Sequence, residues 1–246
     1  MNNNLGVIIL AAGKGKRMNS KDVNKVAMQL ADKPMIVHAI NLLEELTIKH
    51  IVVVVGYAKK SVIDILGNKV IFAEQSKRLG TAHAVSCGLK KMPNEVNDIL
   101  VINGDDSAFY TKQTIQKLID LHVTSNASLT LLTIEKENPL GLGRIVRDGS
   151  GKIIAVVEEK DATEKQRSIK EINPACYLFK AEFLHEYLPQ VKKSTVTGEY
   201  YLTSLIKIGI ENNEPIETFR GGSLAWRGVN TKDELEEAEK IFLNRN

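Results

Sequence analysis

Three short stretches constrain this chain more than any other feature. Residues 5–10, 51–55 and 99–102 are nearly continuous in apolar character and rich in β-branched side chains. A strand with one wet face alternates polar and apolar residues. Strands without alternation read as covered on both faces, which is the situation inside a parallel sheet. Helix-like segments lie between them. Residues 34–46 open with Pro34 at a first helical position and place Ile36, Ile40 and Leu43 on one face. Residues 81–91 and 111–122 are further helix candidates. The β-α-β-α order predicts an α/β, Rossmann-like, mostly parallel sheet.

Beyond about residue 126 the pattern changes. Residues 128–134, 144–147, 152–157 and 171–179 read as strands, and Asp148-Gly149-Ser150-Gly151 is a hairpin-type turn between two of them. Helix-like residues 201–211 and 231–243 close the chain. Thr231 with Glu234 three residues on is a capping box ahead of the last helix. With no internal repeat or long linker, the expectation is one domain, 1–246, with an α/β lobe over about 1–126 and a β-rich second lobe plus closing helices over about 127–246.

Composition narrows the function. With 43% hydrophobic residues in 246, the chain is long enough to bury a core. Net charge is only +3, and the basic residues are scattered, so the clustered footprint of a nucleic-acid binder is missing. A small anionic substrate fits this balance. Cys87 and Cys176 lack the spacing of a zinc site or a disulfide framework, and two free thiols in a reducing cytosol are expected. The N-terminus has no basic region ahead of an apolar one, and no segment approaches the ~20 apolar residues of a membrane span. These features predict a soluble, cytoplasmic protein with no membrane or nucleic-acid partner.

The first strand runs into Ala11-Ala12-Gly13-Lys14-Gly15-Lys16-Arg17-Met18. Small residues let a backbone approach a phosphate closely, and exposed N–H groups can cradle its oxygens. In open α/β sheets such loops sit at the carboxyl ends of strands, where ligands bind. Met18 stands where a dinucleotide fingerprint needs its third glycine, and the Walker A spacing is absent. Taken alone, the loop also reads as an ordinary βα turn with solvated lysines.

The string 10–18, the lysine of Asn24-Lys25-Val26, Lys33-Pro34-Met35, and Gln75 followed by Leu79-Gly80-Thr81-Ala82-His83-Ala84 resemble the sugar-nucleotide pyrophosphorylases. The nearest likeness is to the uridylyltransferase part of bacterial N-acetylglucosamine-1-phosphate uridylyltransferases. Gly104-Asp105, Gly141 to Arg147, Glu158-Glu159-Lys160, Glu171-Ile172-Asn173, Gly198 to Thr203 and Gly228-Val229-Asn230 continue the series in the family's order over nearly the whole chain. The resemblance implies a glycosyltransferase-A-like fold, a nucleotide-binding first lobe and a sugar-binding second lobe. It implies Mg²⁺-dependent transfer from UTP to a sugar 1-phosphate, with release of pyrophosphate. Leu10, Ala11, Ala12 and Gly13 would hold the triphosphate, and Arg17 and Lys25 would steady its charge as catalytic residues. Gln75, Gly80 and Thr81 would read the uracil; Asp105 and Asn230 would hold Mg²⁺; Gly143, Glu158 and Asn173 would contact the sugar.

The chemistry calls for these residue types. In-line attack of a phosphate oxygen on the α-phosphorus needs no covalent enzyme nucleophile, only two anions brought together and their charge offset. Each residue also has a plainer reading. Asp105 suits a turn, Asn230 a helix start, Lys25 a solvated surface, and Glu158 and Asn173 a strand edge and a turn. His83 reads as a packed or hydrogen-bonded histidine, and Trp226 as a packing residue.

Two departures stand out. Asn24 replaces the family's usual proline, which predicts a less rigid loop. Asp106-Ser107 replace an apolar residue and proline after Gly104-Asp105, making Asp106 a candidate third ligand. Bifunctional members of the family carry a C-terminal left-handed β-helix acetyltransferase domain. The chain ends at Asn246, just after the last helix, so acetyl transfer is expected to be absent. The rival readings are a pyrophosphorylase for glucose 1-phosphate or dTTP, a non-catalytic nucleotide-binding regulatory subunit, and a glycosyltransferase. The last would need a D-x-D motif, whereas Asp105 and Asp106 are adjacent.

Overall fold

The computed structural model describes residues 4–18, 22–222 and 224–244. In chain order its first elements are β1 (Leu5–Ala11), β2 (Gln29–Leu30), β3 (Lys33–Pro34), α1 (Met35–Glu45), β4 (His50–Val55), α2 (Lys59–Leu66), β5 (Ile71–Glu74), α3 (Thr81–Leu89) and β6 (Asp98–Asn103). They are followed by α4 (Lys112–Ser125), β7 (Leu129–Glu135), β8 (Gly143–Arg147), β9 (Ile153–Val157), α5 (Glu164–Arg167), β10 (Glu171–Asn173) and β11 (Tyr177–Lys180). The chain closes with α6 (Ala181–Tyr187), α7 (Ser204–Glu211), β12 (Ile216–Arg220) and α8 (Lys232–Leu243). It divides into two compact units: Met1–Arg78, Ala84–Ile115 and Ala225–Asn246 form one, and Leu79–His83 with Gln116–Leu224 the other.

In the first unit the strand order is β5-β4-β1-β6, all parallel. Val7, Ile8, Ile9, Val52, Val53, Val54 and residues 99–102 are wholly buried, so the absence of alternation in their sequence reflects cover on both faces. Each such side chain contributes roughly 1.5–3 kcal/mol of burial. α1 lays Met35, Ile36, Ala39, Ile40 and Leu43 inward. Gly88 of α3 lies so close to the sheet that a Cβ there would stand 2.8 Å from Ile8 Cγ2 and 3.0 Å from Val54 Cγ2. The last helix joins this unit, its Phe242 ring lying 4.7 Å from His38 and 6.4 Å from Phe109. The register pairs Ala11 with Val55, Val55 with Glu74 and Leu10 with Asn103. Four carboxyl strand ends therefore share one edge.

In the second unit β7 is flanked by antiparallel β10 and β11 and by parallel β12, while β8 pairs with β10 and with β9. The β8–β9 turn is the expected one. Asp148 Oδ1 accepts from the backbone of Ser150 and Lys152, and Gly151 takes the left-handed position at φ +84°.

Several expectations shift. The stretch 171–179 is not one strand but two, interrupted at Pro174–Cys176: proline lacks the ladder donor, Asn173 Oδ1 accepts from Ala175 N at 3.1 Å, and Ala175 sits at φ +59°. Pro34 caps α1 from outside, in extended conformation, rather than occupying its first turn. The helix expected over 201–211 begins only at Ser204. Upstream, Tyr200 N donates to Leu79 O, Ala82 N donates to Tyr200 O, and Leu202 N donates to Thr81 Oγ1, holding 200–202 in another conformation. The elements β2, β3, α2, β5, α5, α6 and β12 have no counterpart among the sequence expectations. Among the described residues no helix is long and apolar enough to cross a membrane.

Candidate active site

The loop after β1 is tied down by its own carbonyls. Leu10 O accepts from Gly104 N at 3.0 Å, and Ala12 O accepts from Tyr57 N at 3.2 Å. Ala11 O and Gly13 O accept from Asn24 Nδ2 at 3.0 and 3.4 Å. The same amide donates to Tyr57 O at 2.7 Å, its oxygen accepts from Val26 N, and its backbone N donates to Ser61 Oγ. Asn24 is fully buried. The looser loop expected from losing proline is therefore not what the chain builds. Instead of fixing one φ, the asparagine binds three segments together.

The glycines of this edge serve different ends. Gly15 adopts φ +56°, and a Cβ there would come within 3.2 Å of Lys25 Cβ. At Gly56 a Cβ would stand 2.9 Å from Ala12 O and 3.1 Å from Gln75 O, so its absence lets the loop start and Gln75 draw together. Gly13 has no positive φ and is exposed, with nothing within 4 Å of where a Cβ would point. The folded chain itself makes no demand for glycine at 13. Lys14 and Arg17 are exposed on the same loop, Lys14 Nζ lying 5.4 Å from the centre of the Tyr57 ring.

Lys25, Asp105 and Asn230 meet. Lys25 Nζ donates to Asp105 Oδ2 and, at 3.0 Å, to Asn230 Oδ1. Asp105 lies just past the end of β6. Gly104 admits the turn: a Cβ there would press on Ile36 Cδ1 at 3.0 Å. Asn230 precedes the cap of α8, where Glu234 Oε2 accepts from both Asn230 N at 2.6 Å and Thr231 N at 3.1 Å, completing the expected capping box. The neighbouring Asp106 is nearly fully buried. Its Oδ2 accepts from Asn103 Nδ2 at 3.3 Å, and its Oδ1 finds no partner. Burial, aided by the Asp105 charge, pushes its carboxyl well above the usual carboxylate range. Among the described residues no three His, Cys, Asp or Glu side chains gather as a metal cage.

In the second unit, Gly143, Glu158 and Asn173 come together across three strands. Gly143 pairs with Asn173, and a Cβ on it would stand 3.2 Å from Val156 Cγ1 and 3.7 Å from both Asn173 Cβ and Glu158 Oε2. Asn173 is buried, with Nδ2 donating to Tyr177 Oη. Thr203 Oγ1 donates to Glu158 Oε1 at 3.0 Å. Burial raises the Glu158 pKa, the Thr203 hydroxyl opposes that, and the Asp161 and Glu199 charges add to it. A cavity of about 750 Å³ adjoins, lined by Glu158, Asp161, Tyr201, Thr203 and Lys207 among others.

Gln75, buried, belongs to the first unit; Gly80 and Thr81 belong to the second. Gly80 sits at φ +110° against the Tyr200 backbone, where a Cβ would stand 2.5 Å from Tyr200 O. Its glycine is thus demanded by packing, whatever else it does. Sequence reasoning missed Asn24, Gly56, Glu234 and Thr203 as supports of these groups. Asn24 and Glu234 left local traces, since an asparagine directly ahead of a helical turn is a cap signature and Glu234 completes the capping box with Thr231.

A parallel sheet with a small-residue loop and the Lys25, Asp105 and Asn230 side chains at its carboxyl edge defines the class, an α/β protein of Rossmann-like fold whose ligand edge is the carboxyl end of its strands. The chain belongs to the nucleotidyl transferase family, whose model matches residues 6–245. It is 40% identical over 241 residues, 98% of its length, to the bifunctional protein GlmU of Thermoanaerobacter pseudethanolicus. To the GlmU of Carboxydothermus hydrogenoformans it is 43% identical over 211 residues, 86% of its length. It covers 52% and 46% of these proteins, so the chain spans about half the length of the curated relatives it matches. A crystal structure from Bacillus anthracis, of a protein proposed to be a glucose-1-phosphate thymidylyltransferase and solved with a sucrose, shares the fold. Its TM-score is 0.84 at 22% identity, over 98% of this chain and 96% of that one.

Proposed function

We propose that the chain transfers a uridylyl group from UTP to a sugar 1-phosphate, N-acetylglucosamine 1-phosphate, in a Mg²⁺-dependent reaction that releases pyrophosphate. The observation that carries this reading is the meeting of Lys25, Asp105 and Asn230 at the strand edge beside the Gly13 loop. A carboxylate oxygen and an amide oxygen converge there on one cationic point, a donor set that suits a small hard ion keeping its other places for water and phosphate. Asp105 and Asn230 would hold Mg²⁺, which when bound offsets negative charge on the transferring phosphoryl group.

The rest is done by the chain's own groups. With the carbonyls of 10–13 engaged by neighbouring backbone and by Asn24, the loop's remaining polarity lies in its N–H groups, which suit phosphate oxygens. Lys25 and Arg17 bring charge to the same phosphates, and buried Gln75 supplies an amide for the base. An oxygen of the sugar phosphate attacks the α-phosphorus; the bond to the β-phosphate oxygen breaks and pyrophosphate leaves. Gly143, Glu158 and Asn173 orient the sugar, and the identity of the sugar rests on the family resemblance and on the GlmU relatives.

The test is pyrophosphate release with Mg²⁺, each of five nucleoside triphosphates and a panel of sugar 1-phosphates. Release with UTP and N-acetylglucosamine 1-phosphate, lost with EDTA and lost in Asp105→Ala at unchanged circular dichroism, is expected. Near-normal turnover of Asp105→Ala would overturn the metal assignment, and release with another pair would correct the substrates.

A further inference from the structure

The two oxygens proposed for the metal are both occupied by one ammonium of the same chain. Lys25 Nζ donates to Asp105 Oδ2 and to Asn230 Oδ1. Magnesium held by Asp105 and Asn230 would lie about 2.1 Å from an oxygen of each. An ammonium hydrogen-bonded to the same atoms would then face a divalent charge at close range, and like charges in a partly buried pocket repel strongly. The Lys25 and Asp105 side chains are only 14% and 15% exposed, so water screens them little.

The backbone under Lys25 is fixed, and among the described residues its ammonium is held by the two hydrogen bonds alone. Asn24 caps the short turn that starts at Lys25, Ala27 N donates to Asn24 O at 2.9 Å, and Met28 N donates to Lys25 O at 3.0 Å. The four-carbon stem runs along the Gly15 loop, with Cβ and Cδ at 3.2 and 3.8 Å from where a Gly15 Cβ would stand. A phosphate seated on the loop is therefore within reach of the same ammonium after rotation about its stem.

We propose that Lys25 is a resident stand-in for the cation: it holds Asp105 and Asn230 in place without metal, and it must leave for the ion to enter. The nucleotide's phosphates give it its second position, so metal and nucleotide load together, and free metal binds the nucleotide-free chain poorly. This rests on the reading of Asp105 and Asn230 as metal ligands.

Two measurements test it on the nucleotide-free protein. The first titrates Mn²⁺ and follows the free ion by electron paramagnetic resonance. Lys25→Met is expected to bind Mn²⁺ about tenfold more tightly than the native chain, the size of an ordinary coupling between two ligands of one site. Adding Asp105→Asn to that variant should remove the gain. Equal or weaker binding by Lys25→Met overturns the inference while leaving the metal site standing. Binding indifferent to Asp105 overturns the metal reading and the inference with it. Removing a positive charge would by itself tighten binding, so the second measurement uses the native lysine and needs no variant to fold. With ¹⁵N-lysine labelling, the Lys25 ammonium is expected to give a signal protected by its two hydrogen bonds, and Mg²⁺ should abolish that protection as it saturates the site. A signal that persists under saturating Mg²⁺, or no protected signal at the start, overturns the exchange.

Discussion

Gly13 and Gly80 show how differently two glycines of one motif set can be justified. Gly80 is required by the folded chain, since any side chain would collide with the Tyr200 backbone. Gly13 faces open space at an ordinary φ, so the folded chain itself does not require glycine there. Gly13→Ala is therefore expected to change the unfolding free energy by less than about 0.5 kcal/mol. It should weaken nucleotide binding about tenfold, a loss of one close backbone–phosphate approach. Urea unfolding and calorimetric titration with UTP check the two halves, and a strong loss of stability without a loss of binding would place the glycine requirement inside the chain. Asn24 makes the complementary point. A residue that read as a loss of rigidity proves to be a fully buried clamp, because its worth lies in carbonyls at Ala11, Gly13 and Tyr57.

At the scale of elements, the site is assembled from ends. β1, β4, β5 and β6 terminate in register, and the start of α8 brings Asn230 to the same group of side chains. Glu234 is the residue through which the helix acts: its carboxylate holds the backbone of Asn230 and Thr231, and Arg227 lies 3.6 Å from it. Glu234→Ala is expected to cost about 1 kcal/mol of stability, the usual worth of a cap. It should raise the Mg²⁺ concentration for half-maximal pyrophosphate release about tenfold, as losses behind a metal ligand commonly do. Thermal melts and a Mg²⁺ titration of activity read the two effects, and unchanged metal dependence would reduce Glu234 to a cap alone.

For the whole molecule, the consequence lies in its pH dependence. Each unit holds a carboxyl whose pKa folding raises, the buried Asp106 in the first and the half-buried Glu158 in the second. An acid raised in this way binds its proton more tightly when folded, so stability is fullest below the ordinary carboxylate range. It falls as pH climbs from that range through the raised pKa, and stays lowered above it. Glu158→Gln removes the penalty in the second unit. Its melting temperature is expected to match the native chain near about pH 4 and to exceed it near neutrality. A gain that is the same at both values would tie the effect to packing rather than to charge.

The parts of the fold legible in sequence were those with strong local patterns. Strands buried on both faces lack alternation, α1 shows its apolar stripe, the β8–β9 turn carries Asp and Gly at fixed places, and α8 announces its capping box. β5 and β12 are short and only half-buried, and so carry no clear period. The break at Pro174 was hidden by apolar residues on either side. In the candidate site, the Gly13 loop and Asp105 could be found because strand, small residues and turn are neighbours in the chain. What only the tertiary structure decided is what meets what: Lys25 with Asp105 and Asn230, 80 and 205 residues away, Asn24 under the loop, and Glu158 with Gly143 and Thr203. Local sequence sets backbone preference through short-range sterics and hydrogen bonds. The partners of a buried polar group are set by long-range packing, which brings distant segments close enough to satisfy it.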